Sequence, residues 1–254
     1  MIGIYRIFVN MMYKYYLFLM PFFLVFTQVT AQKQQSLDSV ENIKLCKVGL
    51  VSAGLIGIGL LANRSDFEQQ FNIKLRNSVG NNFNFPIDDY MQYAPIAEIY
   101  VAGAFGVKAK NHWFDQTKYL IISQALSGGI VHLIKYSTHK LRPDASNDDS
   151  FPSGHTAFSF TGAGVLYNEF RDTAPVLAYS GFAFAVTTGS FRMINNKHWF
   201  SDVLVGSGIG MLSAYLVYYF EPLKHFNPFK KVKHISFMPQ IGISQYGFYA
   251  VYEF

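Results

Sequence analysis

The chain has 254 residues and a formal net charge of +5, from 21 Lys and Arg against 16 Asp and Glu. Half of the residues are hydrophobic and 17% are aromatic, but only 15% are charged, compared with about 25% in soluble globular domains. This composition excludes a disordered chain and a disulfide-rich scaffold. The basic residues are scattered between apolar runs, which argues against a nucleic-acid partner. The single cysteine, Cys46, lies in a polar stretch and is expected to be a small buried side chain rather than a lipidation site.

The N-terminus resembles an export signal. Arg6 and Lys14 supply positive charge, and an apolar run at 16–29 is followed by small residues suited to cleavage. We therefore expect a signal peptide at 1–31 and an N-terminal linker at 32–47. An uncleaved membrane anchor is the alternative interpretation of the same run.

The middle of the chain contains six apolar stretches whose lengths are those of helices rather than strands. They occupy 48–62, 91–107, 119–134, 156–167, 174–190 and 203–220. Small residues recur inside them, which allows neighbouring helices to approach closely. The predicted fold is therefore all-α, a six-helix bundle over 48–222. Several stretches are shorter than the ~20 apolar residues that a membrane span requires, so a buried soluble bundle remains an alternative to a lipid-facing one.

Two further elements flank the bundle. The polar connection after the first stretch carries Phe67, Phe71 and Leu75 at helical spacing, which predicts an amphipathic surface helix. The C-terminal segment, 223–254, begins with several lysines and then alternates apolar and polar residues from position 234 onward. This alternation predicts a short β-hairpin, which we expect to pack on the bundle.

Three clusters of polar residues occur where apolar stretches end, which is where a bundle presents a site. The clusters are Lys135 with Arg142 and Pro143, then Pro152-Ser153-Gly154-His155, and finally Arg192 with His198 and Asp202. Taken singly, each residue has a structural explanation, since a lone lysine at a helix end is usually solvated and Ser153 alone would be an ordinary helix cap. Three such clusters at segment ends on one side of an alternating bundle favour a functional site.

The cations of these clusters suit a phosphate group. Lys135, Arg142 and Arg192 are fixed positive charges, and the two guanidinium groups offer forked donors that match a tetrahedral oxyanion. Ser153 and Gly154 at the start of a helix add free backbone N–H groups and the positive end of the helix dipole. The sequence therefore predicts phosphate-binding donors on several sides of one anion.

The two histidines suit the chemistry of phosphoryl transfer. His198 and Asp202 are four residues apart, so on a shared helical face the carboxylate would hold the imidazole in one tautomer. The other ring nitrogen of His198 would then be a nucleophile toward phosphorus. His155 is left as the general acid that protonates the departing oxygen and afterwards activates water.

These motifs resemble those of the type 2 phosphatidic acid phosphatase superfamily, which also includes bacterial nonspecific acid phosphatases and vanadium haloperoxidases. The resemblance rests on Lys135-x6-Arg142-Pro143, Pro152-Ser153-Gly154-His155 and Arg192-x5-His198-x3-Asp202, in the family's order. It implies the phosphatidic acid phosphatase/haloperoxidase-like helical fold over 48–222. One position departs from the family, because Phe191 stands where a small residue is common, and this puts a minor phosphate contact in doubt.

The resemblance also implies roles and a reaction. His198 would be the nucleophile, Asp202 its orienting partner and His155 the general acid; Lys135, Arg142, Ser153, Gly154 and Arg192 would bind the phosphate. The implied enzyme is a phosphoric ester hydrolase that forms a phosphohistidine and needs no metal or other cofactor.

For the substrate, we expect a lipid phosphate or diphosphate: phosphatidic acid, phosphatidylglycerol phosphate, undecaprenyl diphosphate or a lipid A phosphate. The aromatic residues Phe151, Trp199 and Phe200 beside the motifs are expected to be exposed, where an acyl chain could lie. A soluble periplasmic nonspecific acid phosphatase is the alternative. A vanadium haloperoxidase and a non-catalytic membrane protein are weaker ones. The expected partners are the phosphorylated lipid and the membrane, and the sequence does not identify a protein partner.

The location follows from the leader and from the distribution of charge. In a six-helix arrangement, the side with the motifs carries eight Lys and Arg and the other side eleven, which favours a site outside the cytoplasm. A cleaved leader followed by six full crossings would place the motifs in the cytoplasm instead. We therefore expect an exported, membrane-associated protein with a periplasmic active site, in which the first stretch does not cross or the bundle rests on the membrane; a soluble periplasmic protein is the alternative.

Overall fold

The computed structural model describes residues 37–80, 83–220, 235–241 and 246–252, and it describes the side chains of 48–80 and 83–220. Four predicted features lie outside the described residues: the signal peptide, the first residues of the linker, the basic segment that precedes the strands, and the turn of the hairpin.

The described residues form eight helices. They are α1 Leu37–Ala62, α2 Asp66–Val79, α3 Asp88–Met91, α4 Ala94–Ala104, α5 Trp113–Thr138, α6 Gly154–Phe170, α7 Pro175–Ile194 and α8 Phe200–Tyr219. All six apolar stretches fall in or overlap these helices, and α2 is the predicted amphipathic surface helix. The described helices number eight rather than six because α2 and the one-turn α3 are added to the bundle. Helix α1 begins at Leu37 rather than at position 48, inside the segment interpreted as a linker, because the polar residues there are compatible with a helix.

Local signals in the sequence explain the helix boundaries near the motifs. Ser65 caps α2, its Oγ accepting a hydrogen bond from the Glu68 backbone N–H at 3.2 Å. Helix α5 ends at Thr138, and its C-cap His139 adopts a left-handed conformation with φ of 43° and turns the chain back. Lys135 therefore lies in the last turn of α5, and Arg142 lies in the loop that follows. Ser153 is the N-cap of α6.

Helix α8 lies at the centre of the bundle, in contact with α1, α5, α6 and α7. Two glycines on α8 allow close approaches of neighbouring helices. A Cβ on Gly206 would lie 2.6 Å from the Ser153 carbonyl oxygen of α6, and one on Gly208 would lie 2.7 Å from the Ser52 carbonyl oxygen of α1. The predicted role of small residues in helix contact is therefore confirmed on α8. It is wrong for Gly54, Gly128 and Gly129, which have no such neighbour within 4 Å in the described part of the chain.

Strands occur only near the C-terminus of the described chain. Strand β1, Ile235–Ile241, pairs antiparallel with β2, Tyr246–Tyr252, so that Ile235 lies opposite Tyr252 and Ile241 opposite Tyr246. The expected packing of this pair on the bundle stays a prediction.

One described helix, α8, is long and apolar enough to cross a membrane, and a second span would exist if part of α1 and α2 together formed one broken span. Helix α8 is mostly buried among the other helices. The outward faces of other helices carry large apolar side chains, among them Leu61 on α1, Phe105 after α4, Leu133 on α5 and Val176 on α7, each at least 73% exposed. Apolar surface is therefore present on several sides of the bundle.

Candidate active site

His198 lies in the short turn between α7 and α8 and is almost fully buried, with 2% of its surface exposed. It precedes α8, which begins at Phe200, so it does not share a helical face with Asp202 as predicted. The expected contact nevertheless forms, because Nδ1 of His198 lies 3.4 Å from Oδ2 of Asp202. An ionised carboxylate only accepts hydrogen bonds, so Nδ1 carries the proton and Nε2 keeps its lone pair.

Asp202 is fully buried and accepts several hydrogen bonds. Oδ2 accepts from the Trp199 backbone N–H at 2.9 Å and from the Ser150 hydroxyl, and Oδ1 accepts from Lys140 Nζ at 3.0 Å. The bond from Trp199 closes the N-terminus of α8, where a carboxylate also faces the positive end of the helix dipole. The carboxylate that contacts His198 is thus held from several directions.

The first cluster is gathered around Asp149. Lys135 Nζ donates to the Asp149 carbonyl oxygen, and the Arg142 guanidinium contacts the Asp149 carboxylate at 3.0 and 3.1 Å. The six-residue spacing therefore returns the loop to the end of α5, where both cations meet one residue. This explains why a lysine on a helix and an arginine in a loop can serve one anion.

The second cluster begins α6, as expected. The Ser153 side chain exchanges a hydrogen bond with the Thr156 hydroxyl at 2.8 Å, and its backbone N–H donates to the Asp202 carbonyl oxygen at 2.9 Å. Gly154 is the first residue of the helix. His155 is partly exposed and its Nε2 lies 3.1 Å from Oδ1 of Asp89.

Arg192 joins the third cluster to α3. Its Nη1 donates to Asp88 Oδ2 at 2.8 Å and lies 3.4 Å from Asp89 Oδ1, the atom that also contacts His155. Asp88 is buried, and its other oxygen accepts from the Asn195 amide at 2.7 Å. Nε of Arg192 is buried and has no acceptor among the residues that the structure describes. Phe191, the residue that departs from the family pattern, packs its ring 6.1 Å from that of Phe85.

Burial dominates the protonation of the site. Complete burial lowers the pKa of His198 to about 4, although its hydrogen bond to Asp202 acts in the opposite direction. Burial, and then the charge of Arg192, lowers the pKa of His155 below its usual 6.5. Burial also lowers the pKa of Lys135, partly offset by Asp149. The charges of Arg192 and Lys135 act on His198 as well, so the three clusters occupy one electrostatic environment.

The structure brings together all eight residues that the sequence predicted and adds others that it did not. The added residues are Glu68, Asp88, Asp89, Lys140, Asp149, Ser150 and Asn195. Asp88 and Asp89 lie in α3, and Lys140 lies inside the first motif. In the sequence, Glu68 is only an acidic residue in the first turn of a predicted helix, so nothing there indicated a place in the site. No group of three or more His, Cys, Asp or Glu in the described chain is arranged to hold a metal ion.

The expected exposed aromatic residues are only partly confirmed. Phe151 is buried, with 2% of its surface exposed, because it packs in the core with Val131 and Ala157. Trp199 and Phe200 are partly exposed. The Phe200 ring lies 5.9 Å from Phe67 and 5.3 Å from Phe71 on α2. These aromatic residues link α2 to the start of α8.

The fold and the site define a helical bundle with a buried histidine–aspartate pair beside three cations. Residues 116–226 match the PAP2 superfamily. This part of the chain contains all eight predicted site residues and is similar to the PAP2 superfamily.

Similar curated proteins are named as phosphatases. A lipid A 1-phosphatase of Porphyromonas gingivalis is 35% identical over 151 residues, which cover 59% of this chain and 34% of that protein. A non-specific acid phosphatase of Salmonella typhi is 40% identical over 82 residues, covering 31% of this chain and 30% of the relative. The chain thus spans about a third of the length of these curated relatives.

A solved structure shares the fold. The crystal structure of a transmembrane PAP2 type phosphatidylglycerolphosphate phosphatase from Bacillus subtilis has a TM-score of 0.51 and 19% identity, and the match covers 72% of this chain and 99% of the other. The bundle described above therefore has the helical architecture of a PAP2 protein.

Proposed function

We propose that this protein is a phosphatase that hydrolyses a lipid phosphate or diphosphate through a phosphohistidine on His198. The observation that carries the proposal is the buried His198–Asp202 pair, with Nδ1 held at 3.4 Å from Oδ2 and two cations acting on the ring. A neutral imidazole with its proton fixed on Nδ1 presents Nε2 as the nucleophile. The relatives named above are phosphatases, which supports this reaction class.

The proposed reaction has two steps. Nε2 of His198 attacks phosphorus, the P–N bond forms, and the P–O bond to the leaving group breaks as His155 gives that oxygen a proton. His155 then removes a proton from water, whose oxygen attacks phosphorus and releases phosphate and the histidine. The partly exposed position of His155 suits both exchanges, since the leaving group and the water enter from outside.

The cations supply the electrostatic part of catalysis. Lys135, Arg142 and Arg192 would bind the non-bridging oxygens together with the backbone N–H groups that begin at Ser153 and Gly154. Fixed positive charge that faces developing negative charge lowers the barrier to phosphoryl transfer. Three cations can compensate this charge without a metal ion, so we expect activity to be unaffected by EDTA.

A lipid substrate is favoured by the surface of the bundle. Large apolar side chains are exposed on helices that approach the site, such as Leu133 and Tyr136 on α5, which are 73% and 82% exposed and lie within one turn of Lys135. Exposed apolar patches of this kind mark membrane or ligand contact. The names of the lipid A 1-phosphatase and the phosphatidylglycerolphosphate phosphatase point to the same substrate class.

We further propose that the protein is exported and membrane-associated, with its active site on the periplasmic side. The leader-like N-terminus and the distribution of Lys and Arg support this location. A soluble periplasmic acid phosphatase is the second candidate, favoured by the mostly buried position of α8, the one described helix that alone meets the length and composition of a span. A carbonate wash of isolated membranes separates the two, because an embedded protein stays in the pellet.

The nucleophile is tested with His198→Ala and a matched control. His198→Ala should abolish turnover and the acid-labile phosphoenzyme that a rapid quench with radiolabelled substrate would trap. His132→Ala is the control, because His132 is exposed on α5 and takes no part in the site. A His198→Ala protein with near-normal turnover would overturn the proposed mechanism.

The substrate class is tested with purified protein in detergent. Its kcat/KM should be higher for lipid phosphates than for water-soluble phosphomonoesters of the same headgroup. A clear preference for the soluble esters would refute the lipid assignment and leave the acid phosphatase. Loss of activity in EDTA that is restored by a divalent metal would refute metal independence.

A further inference from the structure

A buried group of charges connects the surface helix α2 to the active site. Nζ of Lys140 lies 3.1 and 3.0 Å from the two carboxylate oxygens of Glu68, 3.0 Å from Oδ1 of Asp202 and 2.9 Å from the Ser201 hydroxyl. Each of these side chains is at most 6% exposed. Lys140 therefore bridges two carboxylates that come from helices far apart in the chain.

Both carboxylate oxygens of Glu68 also accept hydrogen bonds from backbone N–H groups. Oε1 accepts from the Ser201 backbone N–H at 3.0 Å, and Oε2 accepts from the Arg64 backbone N–H at 2.9 Å. Glu68 thus secures both the first turn of α8 and the start of α2. A buried carboxylate that accepts this many hydrogen bonds is held in one orientation.

Removing these charged side chains from water costs free energy, so their presence in the interior requires an explanation. Removing one partner of a buried ion pair leaves an unpaired charge in the interior, and burying the pair itself gains little stability over apolar residues of the same volume. Stability alone therefore does not explain why two carboxylates and a lysine meet here. Their position beside Asp202 points to a role in the active site.

Lys140 controls which oxygen of Asp202 faces the histidine. The ammonium holds Oδ1, while Oδ2 is left for His198 Nδ1 at 3.4 Å and for the Trp199 backbone N–H. A rotation of the carboxylate would break both sets of contacts at once. The orientation of the imidazole is thus tied to the position of Lys140, and through Lys140 to Glu68.

We propose that Lys140 and Glu68 are positioning residues, which fix the Asp202 carboxylate and through it the nucleophilic nitrogen of His198. The inference rests on the proposed function of His198. Neither residue touches the phosphate in this assignment. Helix α2 becomes part of the catalytic machinery, although it lies outside the three motifs and outside the PAP2 match at 116–226.

The charges that face His198 give the proposal a specific pH signature. Asp202 favours the imidazolium form of His198, whereas Arg192 and Lys135 disfavour it. Lys140 contacts Asp202, Glu68 contacts Lys140, and these two side chains carry opposite charges. Replacing Glu68 with Gln removes a negative charge and keeps the shape of the side chain. The imidazolium becomes less favourable, so the acidic limb of kcat/KM should move to lower pH.

The main test compares kcat in three variants. Lys140→Met should lower kcat by about 100-fold, because the nucleophile is no longer held in line, while KM changes little since Lys135, Arg142 and Arg192 are intact. Lys140→Arg should restore most of the loss, because it keeps the positive charge. Lys74→Met is the matched control, because Lys74 is exposed on α2 and should behave as wild type.

The outcomes separate this inference from the proposed function. Circular dichroism checks folding, and Glu68→Gln carries the test if Lys140→Met does not fold. Wild-type kcat in folded Lys140→Met, or an unmoved acidic limb in Glu68→Gln, would overturn the positioning role while His198→Ala stays inactive. Activity in His198→Ala would instead overturn the proposed function.

Discussion

Asp89 offers the sharpest test of the acid–base assignment. Its Oδ1 lies 3.1 Å from Nε2 of His155 and 3.4 Å from Nη1 of Arg192. Asp89→Asn removes the negative charge and keeps the size of the side chain. The carboxylate favours the protonated form of His155, so its removal should lower the pKa of His155, the proposed general acid, further.

The expected shift of the pH profile follows from the distance between Asp89 and His155 and from the exposure of Asp89. In the free enzyme, kcat/KM should rise as His198 loses its proton, near its pKa of about 4, and fall as His155 loses its own, below 6.5. An opposite charge at this distance shifts a buried group by about 1 to 3 units. Because the Asp89 side chain is 53% exposed, water screens the interaction, and we expect the alkaline limb to move down by about 0.5 to 1 unit.

Asp89→Asn should also lower KM. Asp89 occupies donors on Arg192 and His155 that a phosphate oxygen would use, and Asp88 still holds Arg192 at 2.8 Å in the variant. The carboxylate therefore competes with the substrate, and its removal frees these donors. The acidic limb should stay in place, because it belongs to His198.

The assay is kcat/KM measured across the pH range for wild type and variant on the same substrate. Asp148→Asn is the control, because Asp148 forms a similar contact to His139 at 3.2 Å, with both side chains about two-thirds exposed. An alkaline limb that does not move, or that moves to higher pH, would show that His155 is not the group that titrates there.

Two further predictions concern stability. Gly206→Ala should lower the free energy of unfolding by about 1 to 3 kcal/mol, because the new Cβ would meet the Ser153 carbonyl oxygen at 2.6 Å; Gly54→Ala, with free space around it, should be neutral or stabilising in thermal melts. Lowering the pH from about 6.5 to about 4 should cost about 3 kcal/mol, because the unfolded chain protonates His198 in this range and the folded chain does not. His198→Gln should lose this part of the pH dependence, and an unchanged dependence would contradict the burial argument.

The sequence predicted the bundle and the site residues because both depend on local patterns. Apolar stretches of helical length locate the helices, and Arg192, His198 and Asp202 stand out because charged residues at helix ends in an apolar chain are conspicuous. Even the contact between His198 and Asp202 was anticipated. Its physical basis was not, since Asp202 reaches His198 as the capping residue of α8 rather than along a shared helical face.

The residues that escaped prediction depend on contacts between distant segments. Nothing in the local sequence distinguishes Lys140 from a solvated lysine of a polar loop, or Glu68 from an ordinary acidic residue in a first helical turn. Their burial follows from the packing of α2 against the start of α8, where Phe67 and Phe71 meet Phe200. Phe151 was misplaced for the same reason, because its position in the core depends on tertiary packing.

Asp202 combines structural and chemical duties in a way that constrains how this fold can change over time. It closes the N-terminus of α8, balances the buried Lys140 and contacts His198. Under the proposed mechanism a substitution there would damage folding together with activity, so selection for stability would protect the carboxylate even where selection for turnover is relaxed. A descendant that becomes a pseudoenzyme should therefore lose the partly exposed His155 first and keep Asp202.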